Sequence, residues 1–173
     1  AAFCEAATIV VADGMPIVWA SRLQGLPLPE RVTGTDLFWS LCARAAAERR
    51  SVFLAGGAPG AALQAADVIR HRWPHLQIAG TASLKRSDDR LERDELKAGL
   101  SASQPDLVFV GLPSLNTYDL IGECAPALPD AWWIGVGITF SFVAGLLPRA
   151  APWQQRLGLE WLHRLSVEPG RLA

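Results

Sequence analysis

Asp13-Gly14 stands directly after the apolar run Thr8–Ala12, where a carboxylate has two ordinary uses. It caps the helix that follows, or it takes a proton from a hydroxyl as a general base. Arg31, within Glu30-Arg31-Val32-Thr33-Gly34, offers a forked set of donors that matches phosphate; its plainer use is a surface ion pair with Glu30 or Asp36. Glycines follow nearly every later apolar run: Gly56-Gly57-Ala58-Pro59-Gly60, Gly80-Thr81, Gly111-Leu112, and Gly135-Val136-Gly137. Glycine lets a ligand come close to backbone N–H groups, and the 56–60 turn can present such groups to a diphosphate. That turn is neither GxGxxG nor a P-loop, having no Lys, and tight packing of helix on sheet explains it equally well.

His71, His75 and His163 have no triad partner nearby in sequence and read as solvated or structural. Cys4, Cys42 and Cys124 are widely spaced, without a CxxC and without histidines at ligand spacing. A disulfide framework and a zinc site are both excluded, and the thiols are expected buried or half-buried in a reducing compartment.

The elements that must position these groups alternate along the chain. Short apolar strands are predicted at Thr8–Ala12, Ser51–Ala55, Leu76–Ala79, Asp106–Val110 and Ala131–Gly135. Helices are predicted over Met15–Leu23, Leu37–Arg50 (capped by Thr35 or Asp36), Gly60–Arg72, Asp88–Ser103, Leu120–Ala125 and Trp153–Leu165. The strands are continuously apolar, the pattern of a parallel sheet covered on both faces. The expected fold is therefore α/β, a Rossmann-like layered domain with a mostly parallel sheet flanked by helices. Ligands of such sheets bind outside the carboxyl ends of the strands, where Asp13 and the glycine turns fall.

Half of the 173 residues are hydrophobic, 19% are charged and the net charge is −1. A single domain with a substantial core fits those values, and no basic field points to nucleic acid. No signal segment or bilayer-length apolar run is visible, so the expected location is cytoplasmic. The chain starts at Ala1, in apolar sequence, and is expected to be a trimmed or partial protein.

Taken in order, the motifs resemble one family. Ala12-Asp13-Gly14-Met15-Pro16-Ile17-Val18 with Glu30-Arg31-Val32-Thr33-Gly34-Thr35-Asp36-Leu37 is similar to the opening signature of the WecG/TagA/CpsF glycosyltransferases. Phe53–Gly60, Trp73-Pro74-His75-Leu76, Pro105–Leu112, Gly135–Gly145 and Gly158–Leu165, with Glu168-Pro169 and Arg171, continue the match over nearly the whole chain. The resemblance implies an inverting, metal-independent transfer of an N-acetylmannosamine-type or related sugar from a UDP-sugar co-substrate to a lipid-diphosphate-linked sugar acceptor. No other cofactor is implied. Asp13 falls at the family's proposed base and Arg31 at an Arg near the donor phosphates. Gly14, Gly56, Gly57, Gly60, Gly111, Gly135 and Gly137 fall on the donor side. Arg149, Arg164 and Arg171 are candidates for the diphosphate or the acceptor lipid, as alternatives to a solvated helix face.

The sequence departs from the family at Leu115-Asn116-Thr117-Tyr118, where Thr117 takes the place of a Gln implicated in the site. Ser141 replaces an Asp, and Arg149-Ala150-Ala151 replaces Arg-Ala-Pro. An upstream strand-helix unit and part of a basic C-terminal appendage are expected to be missing from the single domain of 1–173. A degenerate homologue that binds a nucleotide sugar or a partner without catalysis is the second reading; a Rossmann-type oxidoreductase lacks its fingerprint. Trp153, Leu157, Trp161 and Leu165 recur at steps of four. That stripe suits either core packing or a face resting on the inner surface of the membrane, and self-association is compatible with it.

Overall fold

A computed structural model describes residues 4–5, 7–84 and 90–167. The chain divides into two compact units, Gly34–Leu147 and Ala1–Thr33 with Pro148–Ala173.

The unit Gly34–Leu147 is a layered α/β fold. It contains α2 (Gly34–Glu48), β1 (Ser51–Gly56), α3 (Ala61–Arg72), β2 (Gln77–Ala82), α4 (Arg90–Ser103), β3 (Leu107–Gly111), α5 (Ser114–Cys124), β4 (Trp132–Gly135) and α6 (Thr139–Val143). The four strands are all parallel in the order β2-β1-β3-β4. Alternate residues of the two central strands supply two separate cores. Val52, Leu54, Leu107 and Phe109 pack with Phe38, Cys42, Ala65, Ile69 and Phe140 on one face. Phe53, Ala55, Val108 and Val110 pack with Leu96, Leu100 and Leu120 on the other. Both faces are covered, which is why these strands are apolar at every position instead of every second one.

The chain runs from β1 to β2 on one side and places β3 on the other, so the strand order reverses between β1 and β3. Their carboxyl ends meet in register, Gly56 opposite Gly111. The start of α2 is fixed by close backbone approach: a Cβ on Gly34 would lie 3.1 Å from the Val136 carbonyl oxygen. Thr35 and Thr139 hydroxyls meet at 3.1 Å, and Thr139 also donates to the Val136 carbonyl at 2.6 Å. The Gly34-Thr35 motif therefore has a packing reason of its own.

The predicted helices shift mainly at their ends. α5 begins at Ser114, six positions ahead of the expected start, with Pro113 as its N-cap and the Pro113 carbonyl accepting from Thr117 N–H at 2.9 Å. The expected opening of α4 at Asp88-Asp89 lies outside the described residues.

The other unit holds α1 (Met15–Leu23), α7 (Pro152–Arg156) and α8 (Glu160–Val167). α1 starts with Pro16 in its first turn and is stopped after its C-cap Gln24 by Gly25, whose left-handed φ of 73° allows Leu26 N–H to bond back to Ser21 O at 2.9 Å. Two expectations fail here. Thr8–Ala12 is not a strand: apart from the Val32 N–H to Ala12 O bond at 2.9 Å, it joins no ladder among the described residues, and Ile9 and Val10 are exposed. Apolar composition alone does not make a strand without a neighbour to pair with. The single helix of Trp153–Leu165 is also two helices. Gly158, at φ 73°, stops α7 in a Schellman turn, with Leu159 N–H bonded to Gln154 O at 2.8 Å and Gly158 N–H to Gln155 O at 3.1 Å. The stripe at steps of four is broken by this turn, and Trp153, Leu157 and Trp161 are exposed instead of forming core. The side chain of Leu165 lies outside the described residues.

Candidate active site

In Gly34–Leu147 the switch between β1 and β3 brings together the turns at Gly56–Gly60 and Gly111, with Gly135–Gly137 beside them after β4. Gly80-Thr81, expected to follow a strand, instead lies within β2, paired with Phe53 and Leu54 of β1. The glycines' missing side chains are explained largely by the protein's own packing. A Cβ on Gly56 would meet the Leu112 side chain at 2.8 Å. A Cβ on Gly111 would meet the Phe140 ring at 2.6 Å, and one on Gly57 the same ring at 3.1 Å. Phe140 is buried and stands edge-on to Phe38, which in turn stands edge-on to Phe109. Gly135 has Thr117 Cγ2 at 3.0 Å from its would-be Cβ. Gly137, by contrast, has φ 56° and nothing within 4 Å in that direction. Gly60, also left-handed, is the N-cap of α3 and provides no side-chain cap, so the first N–H groups of α3 receive none from it.

Thr117 is buried, and its hydroxyl donates to the Leu112 carbonyl at 2.9 Å. Its proton is thereby given to the loop that follows β3, and its remaining capacity is that of an acceptor.

In the unit of 1–33 and 148–173, Asp13 is exposed at the end of the irregular segment and Gly14 is the N-cap of α1. Within this unit Arg31 pairs with Glu160. Its Nη1 donates to Oε2 of Glu160 at 2.7 Å, and its Nη2 reaches the Gln155 carbonyl at 3.5 Å. Arg149 precedes α7 and so does not belong to a solvated helix face; its Nε donates to Glu160 Oε1 at 3.0 Å and its Nη2 to Thr33 Oγ1 at 3.2 Å. The three side chains are only 13% (Arg31), 11% (Glu160) and 19% (Arg149) exposed. Burial pushes the Glu160 carboxyl up, but the hydrogen bonds from Arg149 and Arg31 and their positive charges outweigh it and hold it below its ordinary value. The side chain of Arg164, and Arg171 altogether, lie outside the described residues.

The sequence model of the WecG/TagA/CpsF family of glycosyl transferases matches residues 1–173. The chain belongs to this family. The N-acetylglucosaminyldiphosphoundecaprenol N-acetyl-beta-D-mannosaminyltransferase of Bacillus spizizenii is 32% identical over 170 residues, which make up 98% of this chain. The chain spans 65% of that relative's length.

Within this WecG/TagA/CpsF chain, Glu160 is the residue that the sequence argument passed over. It lies 129 positions from Arg31, and no local pattern links them. The available signal was weaker: an acidic residue just after a helix-stopping glycine, at the start of a new helix, where a carboxylate is favoured by the helix dipole.

Proposed function

We propose that the chain carries the sugar-transfer machinery of a glycosyltransferase using a UDP-sugar donor and a lipid-diphosphate-linked sugar acceptor, with an N-acetylmannosamine-type or related sugar transferred. Asp13 takes the proton from the attacking acceptor hydroxyl, and Arg31 stabilises the negative charge gathering on the departing diphosphate. The reaction inverts the anomeric centre and requires no metal. Gly14, Gly56, Gly57, Gly60, Gly111, Gly135 and Gly137 are the proposed donor-binding positions, with Gly137 sterically the most open of those that follow strands. Arg149, Arg164 and Arg171 are assigned to the diphosphate or the acceptor lipid, and the acceptor's lipid would hold the protein peripherally at the inner face of the membrane.

The observation that carries this reading is the gathering of Arg31 and Arg149 around one carboxylate, in the same unit as an exposed Asp13. Two long cationic side chains brought together at low exposure suit a polyanionic substrate. Calorimetric titration with UDP, with NAD as the control, tests it. Binding of UDP alone, followed by sugar transfer to a diphosphate-linked lipid acceptor, is the expected result; binding of NAD in place of UDP overturns the donor assignment.

One observation favours a second reading, a homologue that binds nucleotide sugar without transferring it. Thr117 stands where the family carries Gln, and its hydroxyl proton is given to the chain's own Leu112 carbonyl. UDP binding without donor hydrolysis or transfer would decide for that reading.

A further inference from the structure

The carboxylate of Glu160 is divided between two guanidinia. Oε2 takes Arg31 Nη1 at 2.7 Å and Oε1 takes Arg149 Nε at 3.0 Å. A carboxylate paired with one arginine ordinarily accepts two parallel N–H bonds from it. Here each arginine bonds Glu160 and also reaches a further partner, Arg31 the Gln155 carbonyl and Arg149 the Thr33 hydroxyl. An arginine side chain free in solvent has many rotamers to lose on binding; two anchors remove that loss beforehand. Two guanidinia at low exposure also repel each other, and the shared carboxylate offsets that repulsion.

Three separate stretches of chain meet at this carboxylate: the 31–33 segment, the 148–151 segment, and the first turn of α8. Glu160 enters α8 just after the Schellman turn at Gly158, whose would-be Cβ points into the Met15 side chain of α1. The position of the carboxylate is thus set by backbone geometry and not by a flexible loop.

We infer that Glu160 is a positioning residue, one that fixes the directions of Arg31 and Arg149 so that both guanidinia are presented together to a diphosphate. A carboxylate has no donor for phosphate, so its contribution runs through the two arginines. The inference rests on the donor reading given above, because it supposes that the anion is the diphosphate of a nucleotide sugar.

Nuclear magnetic resonance of the arginine side chains tests it. The Nε–H signals are assigned with Arg31→Lys and Arg149→Lys, and recorded for the wild type with and without UDP and pyrophosphate. Slowly rotating guanidinia for both arginines, and shifts of both signals on adding either ligand, are expected. In Glu160→Gln, which keeps the shape and removes the charge, both signals should broaden and UDP affinity fall at least tenfold, with the folded fraction checked by circular dichroism. Freely rotating wild-type guanidinia overturn the inference without any variant, as do signals that persist in Glu160→Gln. Unchanged UDP affinity in a variant whose arginine signals have broadened overturns it as well. The donor reading fails separately. If calorimetry shows that the wild type does not bind UDP, that reading falls, and pyrophosphate with the arginine signals still decides the role of Glu160. If UDP binds while both arginine signals stay in place, the donor reading stands and Glu160 loses its role.

Discussion

Ser51 and Asp106 close on each other at both ends. The backbone N–H and the hydroxyl of Ser51 both donate to Asp106 Oδ2 at 2.8 Å, and the Asp106 N–H donates back to Ser51 Oγ at 3.1 Å. Arg50 Nη1 adds a bond to Oδ1 at 2.8 Å. These residues stand at the amino-terminal ends of β1 and β3, and they start the ladder in which Val52 lies opposite Leu107. A register set there is carried to the other end of the strands, where Gly56 lies opposite Gly111 at the reversal of strand order. A polar clamp at the amino-terminal ends of the two central strands thus helps set which backbone groups meet at their carboxyl ends.

The first prediction follows from that clamp. The Ser51 N–H, then its hydroxyl, then Arg50 bring the Asp106 carboxyl down to about 2. A carboxylate lowered on folding adds stability above its unfolded pKa of about 3.9, and that contribution disappears as pH falls toward the folded value. Asp106→Asn is expected to cost about 1 kcal/mol near neutral pH, a modest figure because the side chain is 35% exposed. Urea unfolding of both proteins should show a constant difference from pH 7 to 5 that shrinks between roughly pH 4 and 2. A difference that stays level down to pH 2 would remove the clamp's electrostatic role.

The two central strands were legible from sequence because they are buried on both faces and so read as unbroken apolar runs, from Val52 to Ala55 and from Leu107 to Val110. The same signal misled at Thr8–Ala12, where apolar residues are exposed and unpaired in a ladder. Whether a run becomes a strand depends on a neighbour, and periodicity does not report neighbours. Gly158 shows a different failure: four-residue spacing from Trp153 to Leu165 concealed a glycine that takes a left-handed φ and ends the helix. In the candidate site, Asp13 and Arg31 stood out through their residue types and places in the chain. Glu160 did not, since its meaning comes from contacts that only the fold makes.

Gly111 gives the second prediction. An alanine there would put its Cβ 2.6 Å from two ring atoms of Phe140, a side chain with almost no exposure and no room to retreat. Gly111→Ala should lose about 1–3 kcal/mol from overpacking. Adding Phe140→Leu should recover part of that loss, although Phe140→Leu alone destabilises. Denaturant unfolding of the four proteins gives the coupling; strictly additive losses would mean that the glycine is there for another reason.

The third concerns Asp13. If it is the general base, Asp13→Asn keeps the size and much of the hydrogen bonding while removing proton affinity. Turnover should fall by roughly 10²–10⁴-fold, with UDP affinity changed no more than about twofold. Steady-state transfer assays paired with calorimetry separate the two. Turnover equal to the wild type would end the base assignment, and a parallel collapse of UDP binding would place Asp13 in donor binding instead.

The last prediction turns on the exposed apolar side chains of one unit. Ile17, Trp19 and Leu23 on α1, and Trp153, Leu157, Trp161 and Leu162 on and beside α7 and α8, are exposed, although tryptophan and leucine are costly to hydrate. No helix among the described residues is long and apolar enough to cross a membrane. A monotopic attachment would use such side chains at the depth of the headgroups, where tryptophan rings combine apolar area with a polar N–H. Co-sedimentation with vesicles containing anionic lipid is therefore expected, together with a blue shift of tryptophan emission. Paired Trp153→Gln and Trp161→Gln changes should weaken vesicle binding several-fold and leave the unfolding midpoint nearly unchanged, since neither ring is in the core. Sedimentation in the absence of lipid supplies the contrast: a dimer that these same changes dissolve, with no vesicle binding in the wild type, would assign the surface to a second copy of the chain.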